Sequence, residues 1–231
     1  VSAGYWHACS INVDGYLQCW GYSLFEQPNL QDPSIRKLAV SAGNDHTCSI
    51  TLQGETQCWG NNGYGQLEVP DTLGQARAIA AGRFHTCAIA ENDEVECWGY
   101  NDHGQTLVPP TLESVDAIVA NHWATCAISQ SNQLSCWGYN PYGQLDVPND
   151  LGAVVAVSTG DQNTCTIDTT GHVTCWGLVV HGATNVPEGL NAIAVSTGLN
   201  HVCAIDITGQ VQCWGDNPNL TTLPADLPPA L

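Results

Sequence analysis

The 231-residue sequence contains no methionine and only four lysine and arginine residues. Because aspartate and glutamate total 22, the formal net charge is -18. Such a surface repels nucleic acids and anionic lipids, so we expect neither as a partner. No apolar run reaches the roughly 18 residues that a membrane-spanning helix needs, so we expect no membrane insertion. Charged residues make up only 11% of the chain and hydrophobic residues 43%, which indicates a globular protein.

The sequence also lacks the common motifs of catalysis and metal binding. It has no H-E-x-x-H, no G-x-S-x-G, no phosphate-binding glycine loop and no EF-hand spacing. We therefore predict a protein that is not an enzyme and that carries no cofactor and no metal. Twelve cysteines in a chain without methionine, even at position 1, favour an exported protein whose signal peptide has been removed. We expect a secreted, extracellular location.

The cysteines belong to a repeat. The tripeptide Cys-Trp-Gly recurs every 38 or 39 residues, beginning at Cys19, Cys58, Cys97, Cys136, Cys175 and Cys213. A fixed period near 40 residues is typical of stacked repeat architectures. The approximate repeats are 1–39, 40–78, 79–117, 118–156, 157–194 and 195–231, and we predict that 1–231 forms a single propeller domain whose ends meet.

The residues between the paired cysteines predict a β-hairpin. If Val13, Asp14 and Gly15 form a three-residue loop, then Cys9 lies opposite Cys19 across two antiparallel strands. The last loop position requires a left-handed backbone, which suits glycine, asparagine and aspartate. All six repeats have such a residue there: Gly15, Gly54, Asp93, Asn132, Gly171 and Gly209.

Cysteines directly opposite one another lie close enough to form a disulfide. We predict six such bonds: Cys9–Cys19, Cys48–Cys58, Cys87–Cys97, Cys126–Cys136, Cys165–Cys175 and Cys203–Cys213. The alternative is zinc ligation, but zinc sites use short C-x-x-C turns that gather four ligands at one point. Isolated pairs on separate hairpins favour disulfides.

Short alternating segments between glycines and prolines predict four strands in each repeat, which we name A to D in chain order. The tryptophan after each second cysteine is expected to pack on the next repeat. Four histidines share one repeat position, and we interpret them as core residues that bond the backbone: His7, His46, His85 and His201. Sheets of this size bury both faces when they stack around an axis, so we predict an all-β fold, a six-bladed β-propeller.

The segments VSAGNDHTCSI (40–50) and CWGNNGYGQL (58–67) resemble the RCC1 repeat, the regulator-of-chromosome-condensation propeller unit. The endings GQLEVP (65–70) and GQLDVP (143–148) are more similar to secreted propellers of the type II β-lactamase-inhibitory kind. This resemblance implies the propeller fold along essentially the whole chain. It also implies functions as varied as nucleotide exchange, chromatin binding, light sensing and enzyme inhibition, so it does not select one.

The candidate binding residues lie in the A–B and C–D loops, which emerge on the same face of an antiparallel blade. Ten of the eleven aromatic residues outside the Cys-Trp-Gly motifs fall in these loops. Exposed aromatic residues on one face are typical of a recognition surface. The predicted binding residues are Tyr5, Trp6, Phe25, Tyr64, Arg83, Phe84, His103, His122, Trp123, Tyr142 and His181.

Three functions are compatible with such a face. We favour a protein partner, with inhibition of an extracellular enzyme as the form that the resemblance suggests. A carbohydrate-binding lectin or adhesin is the alternative, because aromatic rings beside Asn, Asp and His side chains also suit a glycan. A structural subunit of an extracellular matrix or filament is the third. The loop pairs differ from blade to blade, which favours one asymmetric protein partner over a repeated glycan.

Overall fold

The computed structural model describes residues 1–22, 36–216 and 229–230. In these residues each repeat forms one antiparallel sheet of three strands, in chain order A, B and C, which we call a blade. The A strands are β1 Ser2–Ala3, β4 Lys37–Ala42, β7 Ala76–Ala81, β10 Val115–Asn121, β13 Val154–Thr159 and β16 Ala192–Thr197. The B strands are β2 His7–Ile11, β5 His46–Thr51, β8 His85–Ala90, β11 Ala124–Ser129, β14 Asn163–Asp168 and β17 His201–Asp206. The C strands are β3 Leu17–Gly21, β6 Thr56–Gly60, β9 Val95–Gly99, β12 Leu134–Gly138, β15 Val173–Gly177 and β18 Val211–Gly215.

The B–C hairpins have the predicted register. Cys9 lies opposite Cys19, and Ile11 lies opposite Leu17. The second, third, fifth and sixth hairpins pair their cysteines in the same way. The loop residue predicted to be left-handed has a φ between 61° and 89° in every repeat. The turn residue and the two-residue alternation of the strands together determine which side chains face each other.

All twelve cysteines are disulfide-bonded. Five of the bonds join cysteines ten residues apart: Cys9–Cys19, Cys48–Cys58, Cys87–Cys97, Cys165–Cys175 and Cys203–Cys213. Cys126 and Cys136 of the fourth repeat are disulfide-bonded as well. The predicted fold class is therefore confirmed: an all-β chain with six propeller blades, each with a disulfide-bonded hairpin.

The chain divides into two compact units. The first comprises Val1–Ala127 and Trp137–Tyr139, and the second comprises Ile128–Cys136 and Asn140–Leu231. Each unit has a core of Cys, Ile, Val, Ala and Trp side chains between neighbouring blades. The prediction that residues 1–231 form one domain stays a prediction.

Within the described ranges the predicted fourth strand is absent, so that prediction is wrong there. Its residues in the second repeat, around Gln66, form turns rather than a strand. Gln66 is fully buried, and its backbone carbonyl accepts hydrogen bonds from Trp98 Nε1 (2.9 Å) and Thr86 Oγ1 (3.1 Å) of the next blade. Its side-chain Oε1 accepts the backbone N–H of Tyr64 (2.9 Å). Both oxygen atoms of Gln66 are thus satisfied without a strand ladder, whereas its buried Nε2 has no hydrogen-bond partner among the described residues.

These bonds also correct the predicted direction of the tryptophans. Trp98 and Trp137 are buried against the preceding blade, and Trp137 Nε1 donates to the carbonyl of Gln105 (3.0 Å). The disulfides, in contrast, lie toward the next blade, since Cys48 Sγ is 3.7 Å from Thr86 Oγ1. Strand alternation correctly places Trp and Cys on opposite faces, but it does not say which neighbour each face meets.

Two of the repeated histidines, His46 and His85, are core residues, and both bond side-chain hydroxyls. His46 and His85 are buried, and the Nε2 of each lies within 3.0 Å of a threonine hydroxyl in the next blade, Thr86 and Thr125 respectively. Each hydroxyl donates its single proton to a glutamine carbonyl, so it accepts from an Nε2–H. The Nδ1 atoms are therefore unprotonated, and both are buried without a hydrogen-bond partner.

A glycine directly after strand A makes room for each of these histidine rings. At Gly82 an added Cβ would lie 2.2 Å from Cε1 and 2.5 Å from Nδ1 of His85. The fourth blade departs at both positions together: Asn121 stands where the other repeats have this glycine, and Ala124 stands where most have histidine. A side chain at the glycine position thus occurs where the imidazole is missing.

Candidate functional site

The two loops that carry the predicted site are joined by one repeated backbone hydrogen bond. In every blade the residue after Trp-Gly donates its N–H to the second residue of the A–B loop. The donor and acceptor pairs are Tyr22 and Trp6, Asn61 and Asp45, Tyr100 and Phe84, Tyr139 and Trp123, Leu178 and Gln162, and Asp216 and Asn200. The residue that follows strand C therefore lies beside the A–B loop of its own blade.

The glycine of each Trp-Gly pair permits this close approach. Gly99 has a φ of +98°, and an added Cβ would lie 2.7 Å from the carbonyl oxygen of Phe84. Both the backbone conformation and the contact exclude a side chain there. The glycine thereby positions Tyr100 next to the A–B loop.

Six aromatic side chains of the first unit form one continuous group, which we call the aromatic cluster. Its members are Tyr64, Phe84, Tyr100, His103, Trp123 and Tyr139. Tyr100 lies at the centre, with its ring centroid 5.0 Å from those of Tyr64 and Trp123. Phe84 is 5.0 Å from Tyr64 and 5.5 Å from Trp123, and His103 is 4.5 Å from Tyr139. Most pairs are edge-to-face or tilted, the arrangements that aromatic rings prefer.

The aromatic cluster is only partly covered. Tyr64 is 51% exposed and Tyr139 is 38% exposed, while Phe84, Tyr100 and Trp123 are half-buried. The inner rings are thus held by their neighbours, and the outer rings face solvent. The cluster presents rigid apolar area with polar edges, which suits binding.

Arg83 lies within the aromatic cluster. Its guanidinium carbon is 5.2 Å from the ring centroid of Phe84 and 5.1 Å from that of Trp123. Its backbone N–H donates to the carbonyl of His122 (3.0 Å). Its Nε is buried and has no acceptor among the described residues. The cation is held by ring faces rather than by a carboxylate.

His122 completes this part of the loop face. Its φ is +28°, and its N–H donates to Asn121 Oδ1 (2.8 Å). Burial and, to a smaller extent, the nearby charge of Arg83 lower the pKa of His122 to about 4. His122 is therefore neutral at neutral pH, and Arg83 supplies the positive charge of the cluster.

The other predicted residues are not members of this cluster. Tyr5, Trp6 and Tyr22 form a second group in the first blade. The ring centroid of Trp6 is 4.8 Å from that of Tyr5 and 6.2 Å from that of Tyr22. Tyr142 and His181 belong to the second unit, where His181 Nδ1 is 3.1 Å from Asp216 Oδ2. Phe25 lies outside the described residues.

Sequence reasoning left out Tyr22, Tyr100 and Tyr139 because a residue after Trp-Gly could equally pack along the blade edge. The repeated N–H bond shows why they lie on the loop face instead. The available signal was the invariant Trp-Gly pair, whose glycine turns the chain back toward the A–B loop.

The described residues contain no group of three or more His, Cys, Asp or Glu side chains placed to hold a metal ion. No helix among them has the length and apolarity to cross a membrane.

Comparison with known proteins identifies the repeat. The regulator of chromosome condensation (RCC1) repeat matches residues 1–27, 38–66, 76–105, 115–144 and 192–219. No curated protein sequence matches the chain.

Several solved structures are similar to it. Prp20p from Saccharomyces cerevisiae is 16% identical to this chain, with a TM-score of 0.79. The match covers 93% of this chain and 70% of the Prp20p chain. The ectodomain of the Physcomitrella patens receptor kinase CR4 is 26% identical with a TM-score of 0.76, covering 92% and 59%. Human WBSCR16 is 20% identical with a TM-score of 0.75, covering 93% and 75%. The chain thus spans somewhat over half the length of the CR4 ectodomain. Its repeats, its blades and these similarities show that the chain belongs to the RCC1-repeat family of β-propellers.

Proposed function

We propose that this chain is an extracellular protein-binding module that engages one protein partner through the aromatic cluster. The observation that carries the proposal is the cluster itself: five aromatic rings, a histidine and an arginine in continuous contact and partly exposed. Tryptophan, tyrosine and arginine dominate the energetic centres of protein interfaces. A polar rim around partly buried rings is the usual anatomy of such a centre.

A protein suits this cluster better than a glycan. A glycan-binding propeller would reuse one pocket in several blades, whereas each A–B loop here carries a different pair of residues. The rings also differ in exposure and orientation from blade to blade. One asymmetric surface fits one asymmetric partner.

The disulfides support an extracellular setting. Twelve bonded cysteines persist in oxidising compartments and are rare where thiols are kept reduced. Buried hairpin disulfides also stabilise the blades without any partner.

Proteins with this fold are known to bind proteins. Prp20p has binding properties toward Gsp1p and histones, and Kap60 has been seen bound to the yeast protein. The endings GQLEVP (65–70) and GQLDVP (143–148) resemble those of type II β-lactamase-inhibitory propellers, which makes an extracellular enzyme the first partner class to test. The acidic surface of this chain disfavours a nucleic-acid partner.

Replacing Trp123 or Tyr100 by alanine is expected to weaken partner binding by about 30-fold or more, the effect of removing a central interface residue. The measurement is capture of extracellular proteins of the source by the immobilised chain, followed by titration of the captured protein against each variant. Trp20→Ala is the matched control, because Trp20 is 54% exposed on strand β3, outside the loops.

The control is expected to bind like the unmodified protein. Equal capture by the Trp123→Ala and Tyr100→Ala variants, with unchanged thermal unfolding, would move the binding surface elsewhere. Retention of the source's polysaccharides in place of a protein would instead assign a lectin.

A further inference from the structure

Basic side chains are scarce in this protein, so the surroundings of each one are informative. Arg77 forms an ion pair with Asp93 (2.9 Å) and also donates to the carbonyl of Val115. The buried Lys37 donates its Nζ to Gln57 Oε1. These two cations have polar acceptors within the protein.

Arg83 differs from them. Within the described part of the chain, no carboxylate lies within ion-pair distance of its guanidinium, and its buried Nε has no acceptor. The ring faces of Phe84 and Trp123 are its neighbours, and His122 beside it is neutral. The chain has 22 acidic residues, but among the described ones none pairs with this guanidinium.

Such an arrangement is favourable for binding an anion. Removing a guanidinium from water has a cost that cation–π contacts offset only in part. A carboxylate accepts two parallel N–H bonds from an arginine, and this bond is stronger where rings exclude water. Arginine is also preferred over lysine for such bidentate contacts at interfaces.

We propose that Arg83 binds a carboxylate of the protein partner, an Asp or Glu side chain whose apolar neighbour packs on Trp123 and Tyr100. The inference rests on the proposed function and names the chemistry that the aromatic cluster recognises. Because the rest of the surface is strongly acidic, a run of acidic residues in the partner would be repelled. The partner therefore presents a single carboxylate beside an aromatic or aliphatic residue.

The test uses a phage-displayed library of random dodecapeptides, selected separately on the full chain and on three variants. Arg83→Gln removes the charge, Arg83→Lys keeps the charge but not the bidentate geometry, and Trp123→Ala removes the ring. Near-ultraviolet circular dichroism and thermal unfolding confirm that each variant is folded. On the unmodified chain we expect peptides that pair one Asp or Glu with an aromatic or aliphatic residue.

The selected acidic peptide is then synthesised with its carboxylate and with the matching amide. Glu→Gln in the peptide is expected to weaken binding to the unmodified chain about tenfold, the effect of losing a charge-assisted bond. The same change is expected to have no effect on binding to the Arg83→Gln variant, and an intermediate effect with Arg83→Lys.

Other outcomes overturn the inference. A preference for lysine and arginine, a selection without charge bias, or no selected peptide at all would contradict a carboxylate site. An acidic preference that persists on Arg83→Gln would place the anion site elsewhere. If Trp123→Ala loses the peptides while Arg83→Gln keeps them, the carboxylate inference fails and the proposed binding surface stands. If Trp123→Ala keeps the same peptides as the unmodified chain, the proposed surface itself fails.

Discussion

Lowering the pH from 7.5 to 5 is expected to reduce the free energy of unfolding by about 2 kcal/mol through each of His46 and His85, with a further loss through the partly exposed His122. Burial is the main cause that lowers the pKa of His46 to about 4 and that of His85 to about 3. The neighbouring histidine adds to the effect in each case, and for His46 the carbonyl of His85 offsets a part. A second proton would sit on Nδ1, which is buried and has no acceptor.

The direction follows from proton uptake. In the unfolded chain both imidazoles have a pKa near 6.5, so they take up protons as the pH falls below that value. In the folded chain they remain neutral down to about pH 4. Stability is therefore complete above pH 6.5 and is lost as the pH falls toward the folded pKa values. Hydrogen bonds from Thr170 and Thr208 lower the pKa of Asp168 and Asp206, so these two carboxylates do not take up protons in this range.

Urea unfolding at several pH values between 7.5 and 5 measures this loss. The matched variant is His46→Asn/His85→Asn, since asparagine already occupies this repeat position at Asn163. The variant is expected to be less stable at pH 7.5 and to lose the part of the pH dependence that comes from His46 and His85, while His7 and His122, whose pKa values burial also lowers, keep theirs. An equally steep loss in the variant would show that other groups govern acid sensitivity.

Replacing Gly82 by alanine is expected to destabilise the protein by about 2–3 kcal/mol, the cost of overpacking a closed core. The added Cβ would overlap the buried ring of His85, which is held in place by Thr125. In the double variant Gly82→Ala/His85→Ala the overlap disappears. The two changes together are then expected to cost about 1–2 kcal/mol less than the sum of the single changes. The fourth blade, with Asn121 and Ala124 at these two positions, is a natural example of the same pairing.

A double-mutant cycle by urea or thermal unfolding tests this coupling. Gly63→Ala is the control, because Gly63 is exposed in a loop and an added Cβ would meet only Asn61 Oδ1 at 3.1 Å. That change is expected to alter stability by less than about 0.5 kcal/mol. Strict additivity in the cycle would mean that Gly82 is required by the backbone conformation and not by the space that the His85 ring occupies.

The hairpins could be predicted from the sequence because their geometry is local. The left-handed position, occupied by Gly15 and even by Asp93, determines the turn, and the turn determines which residues face each other. Cysteine pairing follows from the register without any information about neighbouring blades. Every feature that depends on a single hairpin was predictable in this way.

Features that depend on a neighbouring blade could not be predicted from the sequence. The residues around Gln66 have a strand-like pattern, but the next blade's Trp98 and Thr86 take the backbone carbonyl that a ladder would use. The histidines were expected in the core, but their hydroxyl partners lie about 40 residues away in sequence. Periodicity within one repeat contains no information on such pairings.

The candidate site lies between these cases. The sequence placed Tyr64, Phe84 and Trp123 in loops on one face, and the structure brings these three side chains together. It did not identify Tyr100 as the central ring, because a position after Trp-Gly does not show which rings of neighbouring blades a side chain contacts. The sequence also did not predict that Arg83 has no carboxylate partner among the described residues, because ion pairing depends on distances in three dimensions.

The repeated N–H bond behind Trp-Gly has a consequence for how this protein diversifies. The bond uses main-chain atoms, so it forms with any two side chains in the A–B loop, as with Asn44-Asp45 and with Leu199-Asn200. A two-residue substitution in one blade can therefore alter binding while the hairpin, its disulfide and its contacts to adjacent blades persist. Specificity and folding are encoded by different atoms of the same loops, and selection can act on one without disturbing the other.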